Sequence, residues 1–288
     1  MTPPFVLREL LVPTDLSEEG RPLLVHASRL AARFDALLTL YHAVEVPAPG
    51  FAHWAFAREH DVWLQAECHA REALERCARE LGCRASVAVE RTTSAAEAIV
   101  ERIRRTRPDL VAMATHGRRG LAHLLLGSVT EEVIRRVHRP VLCYRDAERE
   151  ARFPYRRILV TTDLSPASRI VFPLAAHLAR AFEAEIVCVH VAPSRSLATL
   201  GGIVQSDPVV VPSEASLWKF VSPELGALPL TAQVHSGTVW ERIVETARAE
   251  HADLIVMSTR GHDSFADHVL GSNTDRVLRH APCAVMVS

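Results

Sequence analysis

Short runs of consecutive apolar residues alternate along this chain with longer stretches in which apolar positions recur every three or four residues. In the first half the runs fall near 8–12, 37–44, 85–91, 110–115 and 140–144, and the helical patterns near 18–33, 58–80, 95–106 and 128–137. A run such as "DLVAMAT", apolar without alternation, is what a strand covered on both faces requires. The stretch "RPLLVHASRLAARF" instead carries its apolar residues at helical spacing. Strand and helix in regular succession predict βαβ units and an open parallel sheet flanked by helices, an α/β, Rossmann-like architecture.

The pattern is written twice. "LLVPTDLSEEGRPLLVHASRLAARFDALLTLYHAVEV" in the first half matches "ILVTTDLSPASRIVFPLAAHLARAFEAEIVCVHVAPS" in the second, with Asp163 and His190 each 148 positions beyond Asp15 and His42. Further on, "DLVAMATHGRRGLAHLLLGS" matches "DLIVMSTRGHDSFADHVLGS" at a spacing of 144. A repeat of this length is one folding unit. Two tandem domains are expected, 1–146 and 155–288, separated by the charged stretch "RDAEREARFPYRR". The copies diverge between 193 and 229, where five prolines and a Gly-Gly pair reduce the long second helix to a short piece beside a lid or loop.

Composition narrows the function classes. Among 288 residues, 48% are hydrophobic and 23% charged, with a formal charge of -1. That balance gives no overall positive field for nucleic acid or an anionic membrane. The start "MTPPFVLRELLVPTD" lacks a secretory pattern and no apolar run is long enough to span a bilayer, so a cytoplasmic location is expected. Six cysteines form no CxxC pair, and several sit in apolar runs, as reduced core residues do. His53, His60, Cys68 and His69 crowd one stretch without a zinc spacing, so no metal is assigned.

In a doubly wound sheet a ligand settles beyond the carboxyl ends of the strands, where the strand order reverses. With order 3-2-1-4-5 in each copy, the loops after strands one and four meet there. The first loop carries Asp15, suited to ribose hydroxyls or an adenine edge. The second carries glycines that admit an oxyanion to the backbone, then a helix start with unpaired N–H groups. Two plainer readings stand beside these. Ser128 with Glu131 spells a capping box, and Ser272 with Asp275 a close variant, while Asp15 and Asp163 could be N-caps of the first helices.

Both halves resemble universal stress protein domains, over nearly the whole chain. The nucleotide-binding branch of that family carries GxxGx9G[ST], matched here by "ATHGRRGLAHLLLGS" from Ala114 and "STRGHDSFADHVLGS" from Ser258. The second and third glycines and the serine stand at Gly117, Gly127 and Ser128, and at Gly261, Gly271 and Ser272; Ala114 and Ser258 replace the first glycine. The resemblance implies that Pro13, Thr14 and Asp15 hold adenine and ribose and that Ala43 meets the adenine. It implies that Met113, Ala114, Gly117, Arg118, Gly127, Ser128, Val129 and Thr130 line the phosphate side. Thr162, Asp163, Val191, Gly261, Gly271 and Ser272 are the second set. ATP or a related adenine nucleotide is the implied cofactor, and phosphate charge makes Mg2+ plausible beside it.

Three function classes follow. The first is a stress-response or signalling module in which adenine nucleotide biases conformation or a protein partner of unknown identity. The second is a slow ATPase or phosphotransferase using the same pocket, with His116 as its one local acid/base group; no triad, Walker lysine or carboxylate pair supports it. The third is a ligand-free interaction scaffold. The apolar fifth strands, "PVLCYR" and "CAVMVS", are sheet edges that must be paired or covered, and the resemblance implies that they meet across a pseudo-two-fold axis within one chain; a homodimer is a separate expected partner. Arg118 and Arg119 in the first loop, against Asp263 and Asp267 in the second, lead to the expectation that the first crevice binds ATP more tightly.

Overall fold

The structure, a computed structural model, describes residues 5–47, 56–115, 126–144, 153–193, 211–259 and 270–288, with the backbone alone for 56–60. The chain divides into two compact units, Val6–Phe153 and Met1–Phe5 with Pro154–Ser288. The N-terminal unit runs β1 (Glu9–Pro13), α1 (Arg21–Phe34), β2 (Leu37–Glu45), α2 (Phe56–Leu81), β3 (Ala85–Thr92), α3 (Ala95–Thr106), β4 (Leu110–Ala114), α4 (Ser128–Arg136) and β5 (Val141–Tyr144). Its strands are all parallel, in the order β3-β2-β1-β4-β5. The C-terminal unit runs β6 (Arg157–Thr161), α5 (Phe172–Phe182), β7 (Glu185–Pro193), α6 (Glu214–Leu225), β8 (Leu230–Gly237), α7 (Val239–Ala249), β9 (Leu254–Met257), α8 (Ser272–His280) and β10 (Ala284–Val287). Its order, β8-β7-β6-β9-β10, repeats the first. In both units the strand order therefore reverses between the first and fourth strands.

The unalternating apolar runs are the central strands. Leu10–Val12 and Leu110–Met113 are buried residue after residue, as are Ile158–Val160 and Leu254–Val256. Each first helix is delayed relative to its apolar pattern, because a 3-10 turn comes first, Glu18–Gly20 in one unit and Pro166–Val171 in the other. Pro22 and Pro173 then stand in the first turns of α1 and α5, the place where a missing N–H costs nothing. The second helix shortens from 26 residues in α2 to 12 in α6, which carries Pro223 inside it. The expected lid or loop lies partly at 194–210, outside the described residues.

Each unit carries its own clamp at the amino-terminal edge of its strands. Asp109 Oδ2, just before β4, accepts from the N–H groups of Arg8 (2.8 Å) and Glu9 (3.0 Å), holding the start of β1. Asp253 does the same for Arg156 (2.7 Å) and Arg157 (3.0 Å). This brings the opposite ends of the same strands together at the carboxyl edge. No described helix is long and apolar enough to cross a membrane.

Candidate functional site

The turn after β1 is held by converging hydrogen bonds. Thr14 N–H donates to Tyr41 O (2.9 Å), and the Thr14 carbonyl lies 2.8 Å from His42 Nδ1. A carbonyl can only accept, so His42 carries its proton on Nδ1. Leu16 then adopts a left-handed conformation, φ 63°, unusual for a bulky side chain. Its N–H is held by Thr14 Oγ1 (3.1 Å), and Asp15 Oδ1 accepts from both Ser17 N (3.0 Å) and Ser17 Oγ (2.6 Å). The C-terminal unit rebuilds the turn with different neighbours. Leu164 is left-handed at φ 64°, held by Thr162 Oγ1 (3.0 Å); Asp163 Oδ1 accepts from Ser165 N (2.9 Å), and His190 Nδ1 lies 2.9 Å from Thr162 O.

Asp15 and Asp163 are thus locked into turns and cap no helix: the 3-10 turns have Ser17 and Ser165 as N-caps. His42 and His190, which end their second strands beside the crevice, are satisfied by the turn carbonyls, whereas Ser17 and the left-handed leucines were missed as site-forming residues. Their signal was the stretch "TDLS", identical in both copies, with a histidine 28 positions beyond its threonine.

On the neighbouring strand, β4 hands over to α4. Gly127 is the N-cap, so the Ser128 capping box is corrected: Ser128 is already the first helical residue, and Glu131 pairs with Arg135 at 2.7 Å. Likewise Gly271 caps α8, and Asp275 pairs with Arg279 at 2.8 Å. Thr130 Oγ1 donates to Ala114 O (2.8 Å) and Gly127 N to Thr115 O (2.9 Å), pinning the helix start to the end of β4. Gly127 has φ -60° and ψ 137°, which any residue adopts. A side chain there would be crowded, since a Cβ would sit 3.3 Å from Thr115 O, which would have to give by a few tenths of an ångström. At Gly271 the corresponding approach to Thr259 O is 3.5 Å, an ordinary contact. Helix geometry leaves the N–H groups of Ser128, Val129 and Thr130 without intrahelical partners.

The carboxyl edge therefore gathers Thr14, Asp15 and Ala43 near Ala114, Gly127, Ser128, Val129 and Thr130, through the pairing of β1 with β2 and with β4. Pro13 and Met113 are buried strand residues beneath this edge. Thr162, Asp163, Val191, Gly271 and Ser272 stand at the matching positions of the C-terminal unit. Gly117, Arg118 and Gly261, with His116, Arg119, Asp263 and Asp267, lie outside the described residues. Among the described residues, no group of three or more histidines, cysteines or carboxylates is placed to hold a metal ion.

Two doubly wound domains, each presenting an aspartate turn and a glycine-led helix start at its strand reversal, define the class of the molecule. The family model described as Universal stress protein family matches residues 7–145 and 154–288, and the chain belongs to that family. It is similar to Universal stress protein MJ0531 of Methanocaldococcus jannaschii, 30% identical over 147 residues, 50% of this chain and 85% of that protein. It is also similar to Universal stress protein A homolog 1 of Coxiella burnetii, 33% identical over 139 residues, 46% of this chain and 94% of that one. Each alignment thus spans about one repeat. A solved universal stress protein from Archaeoglobus fulgidus shares the fold over 97% of both chains, with a TM-score of 0.72 at 20% identity.

Proposed function

We propose that this chain is an adenine-nucleotide-binding module of stress response or signalling, with ATP or a related nucleotide changing its conformation or its affinity for a protein partner. The observation that carries the reading is the pairing, on adjacent strands, of the doubly bonded Asp15 carboxylate with the helix start at Gly127. The two ends suit the two ends of a nucleotide. A carboxylate accepts from ribose hydroxyls or an exocyclic amine, while three backbone N–H groups and the positive end of the α4 dipole favour phosphate oxygens. Gly117, a match to the family motif, and the charge of Arg118 would add to the phosphate side, and Mg2+ would offset the phosphate charge.

The test is direct. Purified full-length protein is denatured, released nucleotide is identified by mass spectrometry, and nucleotide-free protein is titrated calorimetrically with ATP in the presence and absence of Mg2+. Saturable binding weakened by Asp15→Ala supports the reading. Absence of both co-purified nucleotide and measurable heat would leave the interaction scaffold, whereas turnover above that of Asp15→Ala would make the same pocket a slow ATPase.

A further inference from the structure

A formal charge of -1 denies this chain a positive field over its whole surface, but not one confined to a single edge. In a parallel sheet every strand starts at the same edge, and in the N-terminal unit four of the five starts carry an arginine. Leu38 N donates to Arg84 O (2.9 Å) and Leu37 N to Arg8 O (2.8 Å), which sets Arg84 and Arg8 at the starts of β3 and β1. Asp109 N donates to Glu9 O (3.0 Å) and Val111 N to Pro140 O (3.0 Å), bringing Arg107 and Arg139 to the starts of β4 and β5. The row follows strand order from Arg84 to Arg139 over four strand spacings, about 19 Å. Arg8, Arg84 and Arg107 are exposed and Arg139 is half-buried, and Arg104 stands exposed in the last turn of α3.

These charges are uncommitted. Among the described residues, none of the four arginines of the row enters an ion pair. The carboxylate in the row, Asp109, is half-buried, and its Oδ2 accepts the N–H groups of Arg8 and Glu9. Glu9 and Asp35 are the exposed acids at the strand starts, two against four arginines. Cations at a helix C-terminus offset the dipole, which accounts for Arg104 and Arg107 but not for Arg8, which leads into β1 from no described helix. Nor does the fold require the row. In the C-terminal unit the positions of Arg84, Arg107 and Arg139 hold Pro229, His251 and Cys283, and Arg157 is committed to Glu185 at 2.8 Å.

We infer that this edge docks the phosphate backbone of double-stranded nucleic acid without reading its sequence. A guanidinium fork meets a phosphate through two parallel N–H groups. A duplex offers one negative charge for about every 1.7 Å of its axis, so a row about 19 Å long meets more phosphates than it has arginines. A single strand would call for aromatic platforms, and a bilayer for apolar side chains to insert. Among the described residues, Val6 is the one exposed large apolar side chain at these strand starts, and no exposed aromatic ring stands there. The candidate nucleotide crevice lies at the carboxyl ends of the same strands, so the two ligands use opposite edges of the unit.

The experiment uses the full chain and a fluorescein-labelled DNA duplex of about 20 bp, read by fluorescence anisotropy between roughly 50 and 200 mM salt. Binding should weaken as salt rises and should be unaltered when the sequence of the duplex is changed. Each phosphate contact contributes about 0.9 to the log–log salt slope, so Arg84→Gln, Arg107→Asn and Arg139→Gln should each lower it by about that amount, and together should weaken binding by about tenfold. Arg107 is left-handed, φ 50°, a conformation that asparagine adopts more readily, so its replacement removes charge without straining the fold. Arg107→Lys should keep the slope, and Arg156→Gln in the C-terminal unit should leave binding unchanged. Any of three results would overturn the inference: no salt-dependent binding, a slope that survives the triple substitution in a chain of unchanged circular dichroism, or tighter binding of phosphatidylserine vesicles or polyglutamate than of duplex at equal charge concentration.

Discussion

His26 should make the N-terminal unit sensitive to mild acid in a way that one substitution removes. Its ring lies inside α1, 3% exposed, with centroids 5.1 Å from Tyr144 and 5.5 Å from Phe153. Burial, reinforced by Arg29, pulls its pKa from 6.5 down to about 4. An imidazole held below its ordinary value stays neutral in the fold while the unfolded chain takes up a proton as soon as pH falls through 6.5. Stability is therefore fully present above 6.5 and is lost progressively as pH falls toward 4. At about 1.4 kcal/mol for each pH unit between the two values, the loss reaches about 3 kcal/mol by pH 4.

The C-terminal unit shows what should replace it, since Leu174 stands at the matching position and is 2% exposed. His26→Leu should preserve the fold and remove about 2.5 kcal/mol of the stability difference between pH 7 and pH 4.5. Hydrogen exchange of the α1 amides in a urea series at the two pH values isolates this unit from the rest of the chain. Comparing variant with parent also cancels the carboxylates, which titrate in both. Equal acid sensitivity of the two proteins would refute the argument, as it would show that the fold accepts the His26 proton without penalty.

Gly127→Val should weaken ATP by at least about tenfold, because its Cβ would press on Thr115 O and shift the helix start, whereas Gly271→Val, meeting an ordinary contact, should perturb its own helix start less. Calorimetry with ATP and amide exchange of α4 and α8 check the pair. Asp15→Ala should cost more ATP affinity than Asp163→Ala, given the arginines at 118 and 119 against the aspartates at 263 and 267; the reverse order in titration would refute it. Thiol labelling of the native protein at pH 8 should spare Cys143, Cys188 and Cys283, whose burial pushes their pKa up to about 12, and should modify exposed Cys68 first. Peptide mapping reads the order, and early modification of Cys143 would contradict it.

The strands and most helices were legible because burial on both faces leaves a mark that a single sequence retains. "DLVAMAT" and "DLIVMST" could hardly be anything but central strands, and the doubled pattern fixed the unit of folding. Cap identity was less legible. Ser-x-x-Glu occurs at 94–97 and at 128–131, and only at the first does the serine accept from the glutamate N–H, at 3.4 Å. At the second, Gly127 N–H is already drawn to Thr115 O and the chain turns one residue sooner, a tertiary constraint that spacing does not record. The leucines of the aspartate turns were opaque for a related reason. Propensity places glycine or asparagine at left-handed positions, and here the threonine, aspartate and serine around each leucine outweigh it.

Those two leucines carry a thermodynamic consequence. A left-handed leucine costs on the order of 1 kcal/mol, and both units accept it at matching positions, φ 63° and 64°. The cost falls on folding, where a large core offsets it, and the turn it creates has its backbone rotations already spent. Any molecule docking against Asp15 meets a surface whose conformational entropy was surrendered earlier, so little of the contact energy is consumed in ordering the protein. A relaxed turn at Leu16 would make the unit more stable and its grip weaker.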